Sequence, residues 1–411
     1  MEHGDPDLPL RGIHVLDLSR VVAAPLATML LGDLGAQVIK VERPGAGDDT
    51  RSWGPPFRAG ESAYYLSLNR NKRGIAVDFG QPAGRRILDA LVTEWADVVV
   101  ENFRGESLTR LGLDPERTLA DHPHLVWAAV RGYPGADPRP GYDFIIQAAS
   151  GFMALNGPAD AGPTRAPVAV SDLVTGLHLA VGILAALVRQ ARTGRGGHVE
   201  TSLYESQIAS LPNLTAAHLM TGRPPARMGN AHPQLAPYEL FLAADGPLAV
   251  GVGNDHEFAA LAGVLGRTDL AHDPRFATNA ERVANRESLV EMLNQAFIEG
   301  TVAEWVERLN RAGVPAGPVR TLPEALLAQE TRDAGLVQSL AHPRAGPLAL
   351  VGNPLRWNQM RPPAALPPPL RGQHTVEVLR EIGYDESAVA ALLASGAVEQ
   401  ADSSVVEGGG R

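Results

Sequence analysis

The chain has 411 residues, 45% hydrophobic and 20% charged, with a formal net charge of −10 and no cysteine. The length implies two or three domains, and the ordinary globular usage excludes wholesale disorder. The acidic balance disfavours nucleic acid as a partner, because phosphate neutralisation needs a basic surface. The missing cysteines exclude disulfides, thiolate metal sites and a Cys nucleophile, and they fit a cytoplasmic address.

In chain order, the N-terminal MEHGDPDLPLRG lacks an apolar core, so no secretory signal is expected. Residues 13–18 (IHVLDL) read as a buried strand, and 23–34 as a helix with Pro25 in its first turn. Strands follow at 37–41 and 74–79, a helix at 82–95, and strands at 97–100 and 125–130. That alternation predicts an α/β fold with a parallel, Rossmann-like sheet. The turn after the first strand reads SRVVAAP, not G-x-G-x-x-G, which disfavours a nicotinamide or flavin cofactor. A boundary rich in Gly, Pro and Arg covers 222–236. A hairpin over 238–253, turning at Asp245-Gly246, and helices over 256–312 predict a smaller α+β domain. A second boundary lies at 314–319, and a further helix near 376–382. The expected organisation is a large domain over 1–222, a small one over 223–318, a return segment over 319–399 and a disordered tail over 400–411. The most apolar segment, 177–188, is too short to span a bilayer, so no membrane is expected.

Candidate chemistry concentrates in 141–196, which holds Asp143, Asp160 and Asp172. Asp172 stands before an apolar helical pattern beginning near Leu173, and an Asp there is most simply an N-cap. The same amides and helix dipole would keep its carboxylate ionised, as a nucleophile requires. Cations gather in the first third, among them Lys40, Arg43, Arg51, Arg70, Lys72, Arg73, Arg104 and Arg110. Near strand ends they suit a polyanionic ligand; the plainer reading is a solvated rim. His178 reads as a core histidine, and His232, in a Gly-Asn-Ala-His-Pro loop, as the better functional candidate. No His pair has metal-ligand spacing, so no metal is expected, and no G-x-S-x-G elbow supports a Ser-His-Asp triad.

Several stretches in order resemble the family III CoA-transferases, whose fold the α-methylacyl-CoA racemases share. They include LRGIHVLDLSRVVAAPLATMLLGDLGAQVIKVERPGAGDDTR, ADVVVENFRGESLTRLGL, GYDFIIQAASGFMALNG, SDLVTGLHLAVGILAALVRQARTGRGGHVETSLYES and RMGNAHPQLAPYELF. The resemblance runs from Leu10 to about Ile382. It implies a Rossmann-like domain completed by the C-terminal segment, an inserted small domain, and a homodimer of interlocked rings. It implies Asp172 as nucleophile, and CoA contacts at Val22, Ala23, Arg43, Val77, Asn102, Phe103 and Arg110. A lysine contact of relatives falls near Pro140, with Arg139 adjacent. Gly229, Asn230 and His232 occupy the approximate place of a loop over the active site, and Arg165, Arg223, Arg227 and His232 are cations for a distal carboxylate. Coenzyme A enters as substrate, with no further cofactor.

Where the racemases carry a His as α-proton base, this chain has Tyr142. A phenol with an ordinary pKa of about 10 is a poor base at neutral pH, which favours transfer over racemisation. The implied activity is movement of CoA from an acyl-CoA, succinyl-CoA or similar, to a carboxylic acid. Acyl-CoA racemisation and CoA binding without catalysis are the alternatives.

Overall fold

The computed structural model describes residues 7–135 and 137–402. Within them one unit is built from the chain up to Ser150, Pro167–Thr215 and Gln329 onward; the other comprises Gly151–Ala166 and Ala216–Ala328. The second unit therefore takes in more than the expected 223–318. Its extra segment is tied by the Gly229 N–H on the Gly157 carbonyl and by Arg227 on the Ala154 carbonyl.

The large unit is organised on a seven-stranded sheet. Six strands are parallel: β1 (His14–Asp17), β2 (Gln37–Glu42), β5 (Lys72–Val77), β6 (Val98–Glu101), β7 (Val126–Arg131) and β8 (Gly197–Ser202). Between β2 and β5 lies a small hairpin, β3 (Phe57–Arg58) with β4 (Glu61–Ser62). Across the sheet the order is β5-β2-β1-β6-β7-β8. The order reverses between β1 and β6, the place where open α/β sheets bind ligands outside the carboxyl ends of their strands.

The strand sequences explain this burial. QVIKVE, VVVE and VWAAVR are apolar on both faces, as parallel strands covered by helices must be. Alternation divides them: Leu16, Ile39, Ile75, Val99 and Trp127 build one core, whereas Val15, Val38, Val98 and Val126 build the other. The second core is closed by helices Ala23–Asp33 and Val170–Thr193. The first is closed by helix Pro82–Ala90, continued by a wider turn to Trp95, and by helices Thr375–Glu381 and Glu386–Ala394.

The C-terminal segment also supplies a strand: Val398 pairs with Val77, antiparallel, at the β5 edge. Thr375 and the Arg371–Glu399 ion pair at 2.6 Å fasten it. Of the expected tail, Gln400 and Ala401 are hydrogen-bonded to the Gln373 and Gly372 carbonyls, and 403–411 lie outside the described residues. A separate hairpin joins β12 (Val337–His342) to β13 (Gly346–Val351).

The second unit contains an antiparallel sheet of β9 (Tyr238–Ala243), β10 (Gly246–Gly251) and β11 (Ala316–Pro318). Ala243 pairs with Gly246, so the hairpin turns at Ala244-Asp245, one residue earlier than the Asp-Gly signal suggests. The expected boundary 314–319 is instead the third strand of this sheet. Helices between Asp255 and Arg311 cover it through a core that includes Phe241, Phe258, Phe297 and Trp305.

Candidate active site

The long helix extends beyond its most apolar segment. It starts at Val170 and has 24 residues, long enough by length and composition to cross a bilayer, so the expectation from 177–188 fails on length. Its buried face nevertheless carries Ser171, Asp172 and Thr175 beside apolar Leu179, Ile183 and Leu187. Asp172 is also not the cap. The N-cap is Ala169, without a side-chain hydrogen bond, and Asp172 lies in the first turn. The cap comes from another helix: Asp143, opening helix Asp143–Ala149, accepts the Ser171 N–H at 2.9 Å and Gln147 Nε2 at 2.7 Å. Ser171 in turn donates its hydroxyl to Gln207 at 2.7 Å.

Close packing sets Asp172 against the loop after β1. A Cβ on Gly176 would stand 2.5 Å from the Ala23 carbonyl oxygen, so only glycine lets the two helices approach this closely. One helical turn earlier, the Asp172 carboxylate faces the Ala23 amide closely enough for that amide to favour its ionised form. Asp172 is 8% exposed. Burial and then the nearby Asp143 charge push its pKa from 3.8 up to about 7, against the Ala23 amide. A permanently ionised carboxylate, the expectation from capping, is therefore corrected: near neutrality both forms are populated.

Asp172 lines a cavity of about 540 Å³ with Ala23, Asn102, Phe103, Arg139 and Tyr142. A second cavity of about 630 Å³ is lined by Arg43, Val77, Phe103 and Arg110. Both are bounded by Arg20 and Phe103. The structure thus gathers most of the expected residues around the sheet's reversal. Val22 is buried and lines neither cavity; Val21, not anticipated, lines the first. Gly229, Asn230, His232, Arg165, Arg223, Arg227 and Asp160 belong to the second unit. There His232 accepts the Gln234 N–H and packs on Tyr238 at 5.2 Å.

The cations divide sharply. Lys40 and Lys72 are fully buried, pairing with Asp48 and Asp17 at 2.9 Å each. Arg70 pairs with Asp33 and Arg51 with Glu42, both at 2.6 Å, and Arg73 meets Glu377 and Glu381. These five belong neither to an anion site nor to a solvated rim. Arg43, with a side chain 62% exposed, and Arg110 do line a cavity. His178 is exposed and bonded to Ser206 at 3.0 Å, so it is not a core histidine. Asp143 is a partner that sequence reasoning misses; its only signal there is an Asp opening a short apolar helix in the same stretch. Among the described residues no His, Cys, Asp and Glu cluster can hold a metal ion.

A buried carboxylate near the reversal of a parallel sheet, lining one of two cavities that also carry arginines, is the arrangement of an α/β enzyme site. Residues 10–375 match the CoA-transferase family III profile. The chain is similar to the succinyl-CoA:glutarate CoA-transferase of Mus musculus, 43% identical over 95% of this chain and 91% of that protein. It is similar also to a succinate–glutarate CoA-transferase of Agrobacterium fabrum, 39% identical over 91% and 96%. A crystal structure of a CAIB/BAIF family protein from Brucella suis superposes with a TM-score of 0.78 at 38% identity, covering 91% of this chain and 99% of that one. The chain belongs to CoA-transferase family III and is an enzyme that transfers CoA.

Proposed function

We propose that this enzyme moves CoA from succinyl-CoA, or a similar dicarboxyl-CoA, to a second carboxylic acid, with Asp172 as the covalent nucleophile. The observation that carries the reading is the Asp172 carboxylate, buried on the Ala23 amide at one end of the paired cavities. An Asp172 oxygen attacks the thioester carbonyl carbon, the C–S bond breaks, and CoA leaves as thiolate. Thiolate then attacks the aspartyl carbonyl carbon of the mixed anhydride, and the donor acid departs as carboxylate. An acceptor carboxylate attacks the aspartyl-CoA thioester and expels thiolate. Thiolate finally attacks the acceptor's acyl carbon and returns Asp172 as carboxylate.

Burial favours the first step, because bonding to carbon neutralises a charge held away from water. When thiolate attacks at Asp172, negative charge develops on the oxygen that the Ala23 N–H can meet, an oxyanion donor already in place. CoA is assigned to the second cavity, its phosphates toward Arg43 and Arg110, its pantetheine arm passing Phe103 and Asn102 toward Asp172. Tyr142, 56% exposed, and Arg139 form the rim on the acyl side. Arg104, lining the same cavity and paired with no acid among the described residues, is the cation for a second carboxylate.

The finer architecture belongs to the same proposal. The β14 strand (Val398–Glu399) supports a Rossmann-like domain completed by the C-terminal segment. Leu177, Val181 and Val188 leave an apolar stripe exposed on the long helix, which supports an interlocked homodimer. The address is cytoplasmic, and neither membrane nor nucleic acid is a partner.

A second reading has one observation in its favour: a carboxylate raised to about 7 also suits a base for an α-proton. Incubation with succinyl-CoA and a panel of acids, read as CoA esters by mass spectrometry, decides. Transfer to a dicarboxylate is expected. Deuterium exchange into 2-methylacyl-CoA without any transfer would establish the isomerase instead.

A further inference from the structure

Val21 is β-branched and yet stands at φ +73°. A β-branched residue in this left-handed region is a genuine outlier, and such strain persists only where the surroundings impose it. Here every residue of the loop before it and at it is held. The Ser19 amide and hydroxyl donate to Asp17, and Lys40 donates to the Ser19 carbonyl at 2.9 Å. Asn102 clamps Arg20 from both sides, accepting its N–H at 3.1 Å and donating to its carbonyl at 2.7 Å. Asp48 accepts the Val21 N–H with both carboxylate oxygens, each at 3.3 Å.

Asp48 is itself locked, by Lys40 at 2.9 Å and by the Thr50 amide at 3.0 Å and hydroxyl at 2.8 Å. The Lys40 and Asp48 side chains are 0% and 1% exposed. A buried ion pair is a poor stabiliser compared with a well-packed apolar filling, so its presence needs another reason. The transfer chemistry above uses neither group. The backbone just after Val21 does take part. Val22 caps helix Ala23–Asp33 with no side-chain hydrogen bond, and the first residue of that helix, Ala23, lines the same cavity as Asp172 with its amide facing the carboxylate. A change of φ at Val21 rotates that amide away, and no side chain of the cap opposes it.

We propose that Asp48, backed by Lys40, is a positioning residue for CoA transfer: it fixes Val21 in its left-handed turn and thereby aims the Ala23 amide at Asp172. The proposal rests on Asp172 being the reacting group, and trapping of an acyl group at Asp172 in the unaltered enzyme checks that separately.

The test compares steady-state transfer and melting temperature in Val21→Gly and Asp48→Asn. Glycine accepts the same φ without strain but also accepts others, so Val21→Gly keeps the fold and frees the turn. The expected result is a fall in kcat of about 10-fold or more, with KM for acyl-CoA held within about two-fold. The melting temperature of Val21→Gly is unchanged or raised. Asp48→Asn loses activity in the same sense; should it fail to fold, Val21→Gly alone decides. A Val21→Gly enzyme with full kcat overturns the proposal, as does a loss of activity that only follows a loss of thermal stability.

Discussion

Asp17 and Asp172 are both buried carboxylates of the same unit, and they behave oppositely. Asp17 ends β1 with no exposure, where burial by itself would raise its pKa; Lys72, then Lys40, and the Ser19 hydroxyl overcome that and hold it well below the usual carboxylate range. Asp172 has comparable burial, no cation bonded to it among the described residues, and a second carboxylate nearby, and it rises to about 7. Burial alone therefore does not set the character of an acid in this fold; the partner does. The dry, paired region under the loop after β1 is scaffold, and the dry, cation-poor position beside it is where chemistry is expected.

The largest break in the comparison is removal of the reactive acid. Asp172→Asn is expected to lower transfer by at least about 1,000-fold, as loss of a covalent nucleophile does. The same variant is expected to gain stability. Asp172 keeps its proton in the folded state between its ordinary 3.8 and about 7, so folding stability falls as pH rises through that window and the penalty is complete above it. The gain in Asp172→Asn has a ceiling of roughly 4 kcal/mol at pH 8 and fades below pH 4, read by denaturant melts at the two pH values. Lys72→Met takes from the other acid the cation bonded to it and leaves Lys40 and the Ser19 and Thr28 hydroxyls to hold its charge. It should cost about 3–5 kcal/mol by the same melts, without moving the pH profile of any remaining activity. Gly176→Ala forces apart the two helices that bring Asp172 to Ala23, costing about 1–3 kcal/mol in melts and more in kcat than in KM.

The smallest expected effect is the sharpest about cause. In the unaltered enzyme, kcat/KM for acyl-CoA rises with pH through about 7, as Asp172 ionises. Asp143→Asn keeps an oxygen for the Ser171 amide but removes the neighbouring charge. The rising limb then moves to lower pH, and an unmoved limb shows that burial alone sets it.

Much of the fold is legible in the sequence because parallel strands buried on both faces are apolar runs. QVIKV, DVVV and LVWAAV can hardly be anything else once helices stand between them. GHVETS escapes notice as β8 because an edge strand of polar alternation lacks that signal, and VE as β14 because a two-residue strand exists only through its pairing with β5. Asp172 is legible from its place at the start of a helix, but its relation to the cap is not. The capping bond reaches Ser171 from Asp143, 28 residues earlier, and no local pattern carries it. The cations mislead for the same reason. Lys40 and Lys72 look like surface charges in the bare sequence, and only the fold places Asp48 and Asp17 against them.

The central claim, that the raised acid becomes the acyl carrier, is tested most directly by trapping. The enzyme is incubated with succinyl-CoA and hydroxylamine, digested, and its peptides read by mass spectrometry. The prediction is a hydroxamate on Asp172, formed only when the acyl-CoA is present and accompanied by loss of transfer. An unmodified Asp172 in an enzyme inactivated by that treatment, with the hydroxamate on another acid, would contradict it.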